Sequence, residues 1–144
     1  MPLEVDNFRH ALGLRGSPRR DAFKHAHKAQ LGPGFWATDL DLVLVGKEPT
    51  GIVAFLDCKQ PAEPLSFAEV IAYNALLAVA PMYVIEVRDP DAGPFTIKRY
   101  RGGDWHPSPP RVDLEWVTVC TSWEALKAWE QQLRNTAGRG TQRS

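Results

Sequence analysis

Apolar residues follow two different periods along this chain, and the switches between them mark out its elements. From Phe35 to Val45 the chain alternates. Trp36, Thr38, Leu40, Leu42 and Leu44 fall on one side, and Ala37, Asp39, Asp41, Val43 and Val45 on the other. The second half, Leu42-Val43-Leu44-Val45, is apolar on both faces, the pattern of a central strand. A turn from Gly46 to Gly51 leads into a second apolar strand ending Asp57-Cys58-Lys59-Gln60. Two strands joined by so short a connection predict an antiparallel hairpin. That hairpin brings Asp39 and Asp41 to the level of Asp57 and Lys59.

The period then changes. Ser66 with Glu69 forms a capping box. Phe67, Val70, Ile71, Asn74, Leu77 and Ala78 recur at helical spacing through Val79 or Ala80. Met82 to Val87 is nearly all apolar and follows as a strand, so the strand-helix-strand unit predicts a parallel pair with a right-handed crossover. Phe95 to Tyr100 alternates as a half-buried, peripheral strand. Arg101 to Arg111 reads as a Gly- and Pro-rich loop, and Leu114 to Cys120 as a short strand. Thr121 and Glu124 form a second capping box, opening a helix that carries Trp123, Leu126, Trp129 and Leu133.

Before the first strand, residues 1–34 read as helical pieces broken by turns. Asp6 caps a short helix over Phe8, Ala11 and Leu12. Ser17 caps a second helix, with Pro18 as its first residue, through Gln30 or Leu31. The expected fold class is therefore α/β, a central mixed β-sheet flanked by helices. One domain spans 1–134, and the small, polar, basic stretch 135–144 is expected to be a disordered tail.

Composition changes this picture little. The chain has 144 residues, enough for one domain with a substantial core. No apolar run reaches the ~20 residues of a membrane span, and the N-terminus lacks the pattern of a secretory signal. Cys58 and Cys120 form no zinc-binding spacing. These features predict a reduced, cytoplasmic protein with no membrane contact. Charge adds more. It sums to zero, yet Arg9 to Lys28 carries Arg9, Arg15, Arg19, Arg20, Lys24 and Lys28 against Asp21 alone. Asp39 to Glu69 is acidic. A basic arm beside an acidic centre suits a protein that holds a polyanion at its rim and a cation in its middle.

The chemistry centres on Asp57 and Lys59, which share one face of their strand while Cys58 points to the other. Alone, Asp-x-Lys is an ordinary surface ion pair. Together with Asp41 and Asp39 from the neighbouring strand it becomes a crowd of like charges, which a cation would relieve. Leu40-Asp41-Leu-Val-Leu-Val and Phe55-Leu56-Asp57-Cys58-Lys59, in the order helix, strand, strand, helix, strand, resemble the PD-(D/E)xK nuclease superfamily, the restriction-endonuclease-like fold. The resemblance covers residues 20–88. Leu40 stands where the family often has proline, and Asp39 competes with Asp41 as the first acid. Asp41 is favoured because the apolar strand follows it directly.

The resemblance implies an α-β-β-α-β core with extra C-terminal strands and helix, and metal-dependent hydrolysis of phosphodiester bonds in DNA. Asp41 and Asp57 would bind Mg²⁺, with Mn²⁺ as substitute, helped by the backbone carbonyl of Cys58 and by Asp39 in the alternative assignment. Lys59 would assist the attacking water, and Gln60 could help from the strand end. Arg19, Arg20, Lys24 and Lys28 would contact the phosphate backbone, and a homodimer would supply two sites for a double-strand cut. Glu69, Tyr73 and Asn74 are available on the following helix, although capping and surface duty explain them as well. Glu63 lies in the loop beyond Lys59, and His25 and His27 cannot face the same way on a helix. Trp105, Trp116, Trp123 and Trp129 are assigned to packing, and Trp36 could border the site. Two other readings stay open. One is a non-catalytic nucleic-acid- or protein-binding module of the same fold, and the other a nuclease directed at RNA.

Overall fold

Proline at the first helical position costs no hydrogen bond and presets φ, and helix α1 (Pro18–Leu31) begins there. The structure is a computed structural model describing residues 18–31, 38, 40–46 and 51–143, with the main chain alone at 20, 24, 27, 28, 31 and 137–143. The chain divides into two compact units, Met1–Ala37 and Thr38–Ser144. Helix α1 belongs to the first, and the sheet and the two later helices to the second.

The second unit is built on a five-stranded sheet in the order β1 (Leu42–Val45), β2 (Ile52–Lys59), β3 (Met82–Val87), β4 (Phe95–Asp104), β5 (Arg111–Cys120). β1 pairs antiparallel with β2, β2 parallel with β3, and β3–β4 and β4–β5 antiparallel. Helix α2 (Phe67–Leu76) connects β2 to β3, the crossover a parallel pair requires. Helix α3 (Trp123–Arg143) follows β5. It continues through the stretch beyond 134 for which composition argues disorder.

The near-continuous apolar runs in β2 and β3 are explained by cover on both faces. On one face Val70 and Tyr73 of α2 pack with Phe55, Leu65, Met82 and Tyr100. On the other, Leu126 of α3, supported by Trp129 and Leu133, packs with Leu44, Leu56, Tyr83, Ile85 and Ile97. Edge-to-face pairs lock both layers, Tyr73 against Tyr100 at 5.4 Å between ring centroids and Tyr83 against Trp129 at 5.0 Å.

Three expectations about the strands are corrected. β1 is an edge strand and not a central one. Among the described residues it has β2 as its neighbour on one side only, and of its four residues Leu44 alone is buried. β4 is interior rather than peripheral, and it runs on to Asp104. β5 starts at Arg111, so the presumed loop shrinks to residues 105–110. Glycines permit that extension. Gly102 sits at φ 129°, and a Cβ on Gly103 would lie 2.8 Å from the Tyr100 hydroxyl and 2.9 Å from the Arg111 carbonyl.

Asn74 fastens this end of the hairpin to α2. Its Nδ2 donates to the Gly103 carbonyl at 3.0 Å, and its Oδ1 accepts from the Tyr100 hydroxyl at 2.7 Å and the Gly103 amide at 3.1 Å. Asn74→Ala strips partners from these groups and is expected to lower unfolding stability by about 1–3 kcal/mol. Urea denaturation should show an earlier midpoint, with divalent-cation binding unchanged.

Candidate active site

Register does the first part of the assembly. Leu42 pairs with Leu56, so Asp41 comes beside Asp57 at the carboxyl end of β2. The Cys58 amide donates to Asp41 Oδ2 at 2.8 Å and fixes that side chain across the hairpin. Asp41 is exposed, whereas Asp57 is 4% exposed. The pleat does the second part by placing Lys59 on the same face as Asp57, its Nζ 3.5 Å from Asp57 Oδ2.

The capping box of α2 does the third. Glu69 Oε1 accepts the Ser66 amide at 2.9 Å while the Ser66 hydroxyl accepts the Glu69 amide at 3.2 Å. This reciprocal pair holds the carboxylate at the mouth of the helix and leaves Oε2 to take the Lys59 ammonium. One turn on, Tyr73 presents its hydroxyl from the same helix face. The hydroxyl donates to Asp57 and lies 3.3 Å from Glu69 Oε2. Glu63 approaches Lys59 from the loop at 3.5 Å, and its Oε1 accepts the Gln60 amide at 3.0 Å. The result is a continuous polar chain: Asp41, Asp57, Tyr73, Glu69, Lys59, Glu63.

Its electrostatics follow from burial and crowding. Burial pushes the Asp57 carboxyl up to about 8, a hydrogen bond to Asp41 and the charge of Asp41 push it further the same way, and Lys59 only partly opposes them. Asp57 therefore holds its proton near neutrality and shares it towards Asp41. Burial works against the Lys59 ammonium. The hydrogen bond to Glu69 and the charges of Asp57, Glu69 and Glu63 outweigh it, and Lys59 titrates above an ordinary lysine. The Cys58 thiol is raised to about 11 by partial desolvation of its sulfur, then by Asp41, Asp57 and Glu130, although the residue keeps an exposed surface.

Cys58 itself is a correction. Its side chain was expected to be buried on the core face, but the residue is exposed. It leaves the sheet on the side of Leu56, toward Glu130 of α3, one step past the last packed layer. Its amide takes part in the site by holding Asp41.

Asp41, Asp57 and Lys59 are thus brought together, and Glu69, Tyr73 and Glu63 join them. The signal for Glu69 and Tyr73 is present in the sequence. A capping glutamate faces the end of the preceding strand, and the residue four positions later shares its face. Asn74 points away, into the β4–β5 hairpin end. Asp39 and Trp36 lie outside the described residues. Of Arg19, Arg20, Lys24 and Lys28, all on α1, the side chain of Arg19 is described and is exposed. Trp129 is core. Trp123 is half-exposed, sits 4.8 Å from Phe95 and donates to the Pro90 carbonyl at 3.0 Å. Trp116, assigned to packing, is instead 62% exposed.

The donor set can be tested against a divalent ion. Among the described residues no three His, Cys, Asp or Glu side chains converge on a common ligand position. What converges is a pair of carboxyls, one buried and one open to water, which repel unless a proton or a cation sits between them. Two hard oxygen donors beside open solvent suit Mg²⁺, which keeps several waters and takes one or two carboxylates. No helix among the described residues is long and apolar enough to cross a membrane. Comparison of the chain with family models, with curated proteins and with solved structures finds no match.

Proposed function

We propose that this protein is a Mg²⁺-dependent nuclease acting on phosphodiester bonds of DNA, with a restriction-endonuclease-like core in the element order α-β-β-α-β. The observation that carries the reading is the meeting of Asp41 and Asp57 from two strands, with Lys59 one pleat further on. Asp41 and Asp57 would hold the ion, with the Cys58 carbonyl as a further oxygen and Asp39 as the first acid in the alternative assignment. The ion, when bound, lowers the pKa of a bound water and offsets charge on the scissile phosphate.

The chain's own groups supply the rest. Asp57, which holds a proton beside Asp41, would have to release it to solvent for the two carboxylates to hold the ion. Lys59 is held as an ammonium by carboxylates, so its part is to donate hydrogen bonds to the phosphate and orient the attacking water, not to remove a proton. Glu69 and Tyr73 position Lys59 and Asp57. Arg19, Arg20, Lys24 and Lys28 of α1 contact phosphates along the backbone. A homodimer would serve a double-strand cut.

The test is cleavage of supercoiled, branched and single-stranded DNA, and of RNA, with Mg²⁺ or Mn²⁺. Wild type is expected to cut DNA, and Asp41→Ala to cut at least about 100-fold more slowly. Equal rates in the two proteins would sink the mechanism. Calorimetry showing no divalent-cation binding by wild type favours the non-catalytic binding module, and preferential cutting of RNA favours the RNA-directed enzyme.

A further inference from the structure

The site as it stands is closed around its lysine. Among the described residues three carboxylates surround the Lys59 ammonium. Glu69 Oε2 makes the closest contact, and Asp57 Oδ2 and Glu63 Oε2 each lie at 3.5 Å. An ammonium has three donors. The Lys59 side chain is 9% exposed, so a phosphate reaches it only where one of these partners gives way. Asp57 and Glu69 are poorly placed to do so. Their side chains are 5% and 11% exposed, and each lies against the Tyr73 hydroxyl. Glu63 is 42% exposed and forms the solvent side of the cage.

Glu63 is placed there by a turn that follows Lys59 directly. Its amide donates to the Gln60 carbonyl at 3.0 Å, and its Oε1 accepts the Gln60 amide at 3.0 Å. Pro61 and Ala62 make the corners between. Ala62 sits at φ 63°, in the left-handed region where this turn position ordinarily takes glycine. The chain thus holds a locally disfavoured conformation beside the site, as strained residues at working sites do. With Oε1 bound to the main chain, Oε2 is the oxygen that faces Lys59. Uncovering the lysine takes only rotation about the Glu63 side-chain bonds, and the main-chain bond of the turn stays made.

We propose that Glu63 is a strap on Lys59: its Oε2 stands where a backbone phosphate of DNA binds, and the substrate enters by displacing it. The proposal rests on the nuclease reading of Asp41, Asp57 and Lys59. A carboxylate and a phosphodiester both offer an ammonium a charged oxygen acceptor. One can therefore replace the other without leaving the ammonium bare. Asp57 and Glu69 keep the lysine aimed during the exchange.

Turn closure uses Oε1, so Glu63→Gln preserves the turn and removes the charge that faces Lys59. The experiment is fluorescence anisotropy in EDTA, so that nothing is cut. The probes are a labelled duplex of about two helical turns and an oligothymidine of equal length. On whichever probe binds more tightly, Glu63→Gln should bind about fivefold more tightly than wild type, the scale of one half-exposed ion pair. Its log–log salt dependence should steepen by about 0.9 on the duplex or about 0.7 on the single strand, one added phosphate contact. In a Lys59→Met background the same substitution should change affinity by less than about twofold. Thermal melting checks that the variants fold, and the salt slope needs no change at Lys59.

Equal affinity in wild type and Glu63→Gln overturns the proposal. So does a tightening that persists in Lys59→Met, which would make Glu63 a general repulsive charge. Failure of Glu63→Gln to bind either probe overturns it as well. Cleavage with Mg²⁺ is read separately. Cleavage that depends on Asp41 while affinity ignores Glu63 removes the strap and keeps the nuclease. Affinity that depends on Glu63 through Lys59, in a protein that cuts nothing, keeps the strap and removes the nuclease.

Discussion

Lys59→Met is expected to slow Mg²⁺-dependent DNA cleavage by about 100- to 1000-fold, the range for losing a positioned donor to developing negative charge. Methionine keeps the length and apolar stem of the side chain and removes only the ammonium. Two consequences add to one another. The scissile phosphate loses a hydrogen-bond donor held in place by Glu69, Asp57 and Glu63. Asp57 also loses the one neighbour that lowers its pKa, so its proton becomes harder for a cation to displace. Single-turnover rates at saturating Mg²⁺ and at several pH values separate the two. The first effect persists at high pH, and the second fades as Asp57 deprotonates. A Lys59→Met rate within tenfold of wild type at every pH would remove lysine from the mechanism.

Asp57→Asn is expected to flatten the dependence of stability on pH. In the folded protein the Asp57 carboxyl is raised to about 8 from its ordinary value of 3.8, first by burial and then by Asp41. Between those values the native state binds a proton that the unfolded chain has released. Stability is therefore greatest below about pH 4 and falls as pH rises through about 8, with a limiting slope of about 1.4 kcal/mol per pH unit from this group. The asparagine variant lacks that slope. Mg²⁺ should reverse the trend in wild type, because the ion replaces the proton, and its affinity should climb up to about pH 8. Urea midpoints measured from pH 5 to pH 9, with and without Mg²⁺, check both statements. Wild-type and variant curves that run parallel would show that Asp57 titrates as an ordinary carboxylate.

Much of this site was legible in the sequence because the hairpin rule is local. A short turn between two apolar strands puts residue 41 beside residue 57, and no tertiary information is needed. The strand-helix-strand order likewise announces the parallel β2–β3 pair. What was not legible depended on long-range cover. Leu42-Val43-Leu44-Val45 has the composition of a central strand, but composition does not report how many neighbours a strand finds. The extension of β4 to Asp104 was hidden by Gly102 and Gly103, which read as loop until the φ of 129° at Gly102 and the crowding of Gly103 by Tyr100 and Arg111 are seen. Cys58 alternates correctly with Asp57 and Lys59, but the core ends one layer before it.

The two oxygens of Glu69 have a consequence for motion. One closes the first turn of α2, and the other holds Lys59. Fraying of that turn and release of the lysine are therefore one event rather than two. A local opening at the start of α2 unties Lys59 from its strongest partner, and anything that draws Lys59 away loosens a constraint on the capping carboxylate. The mobility of Lys59 is thus tied to that of a helix end, among the parts of a fold that open most readily.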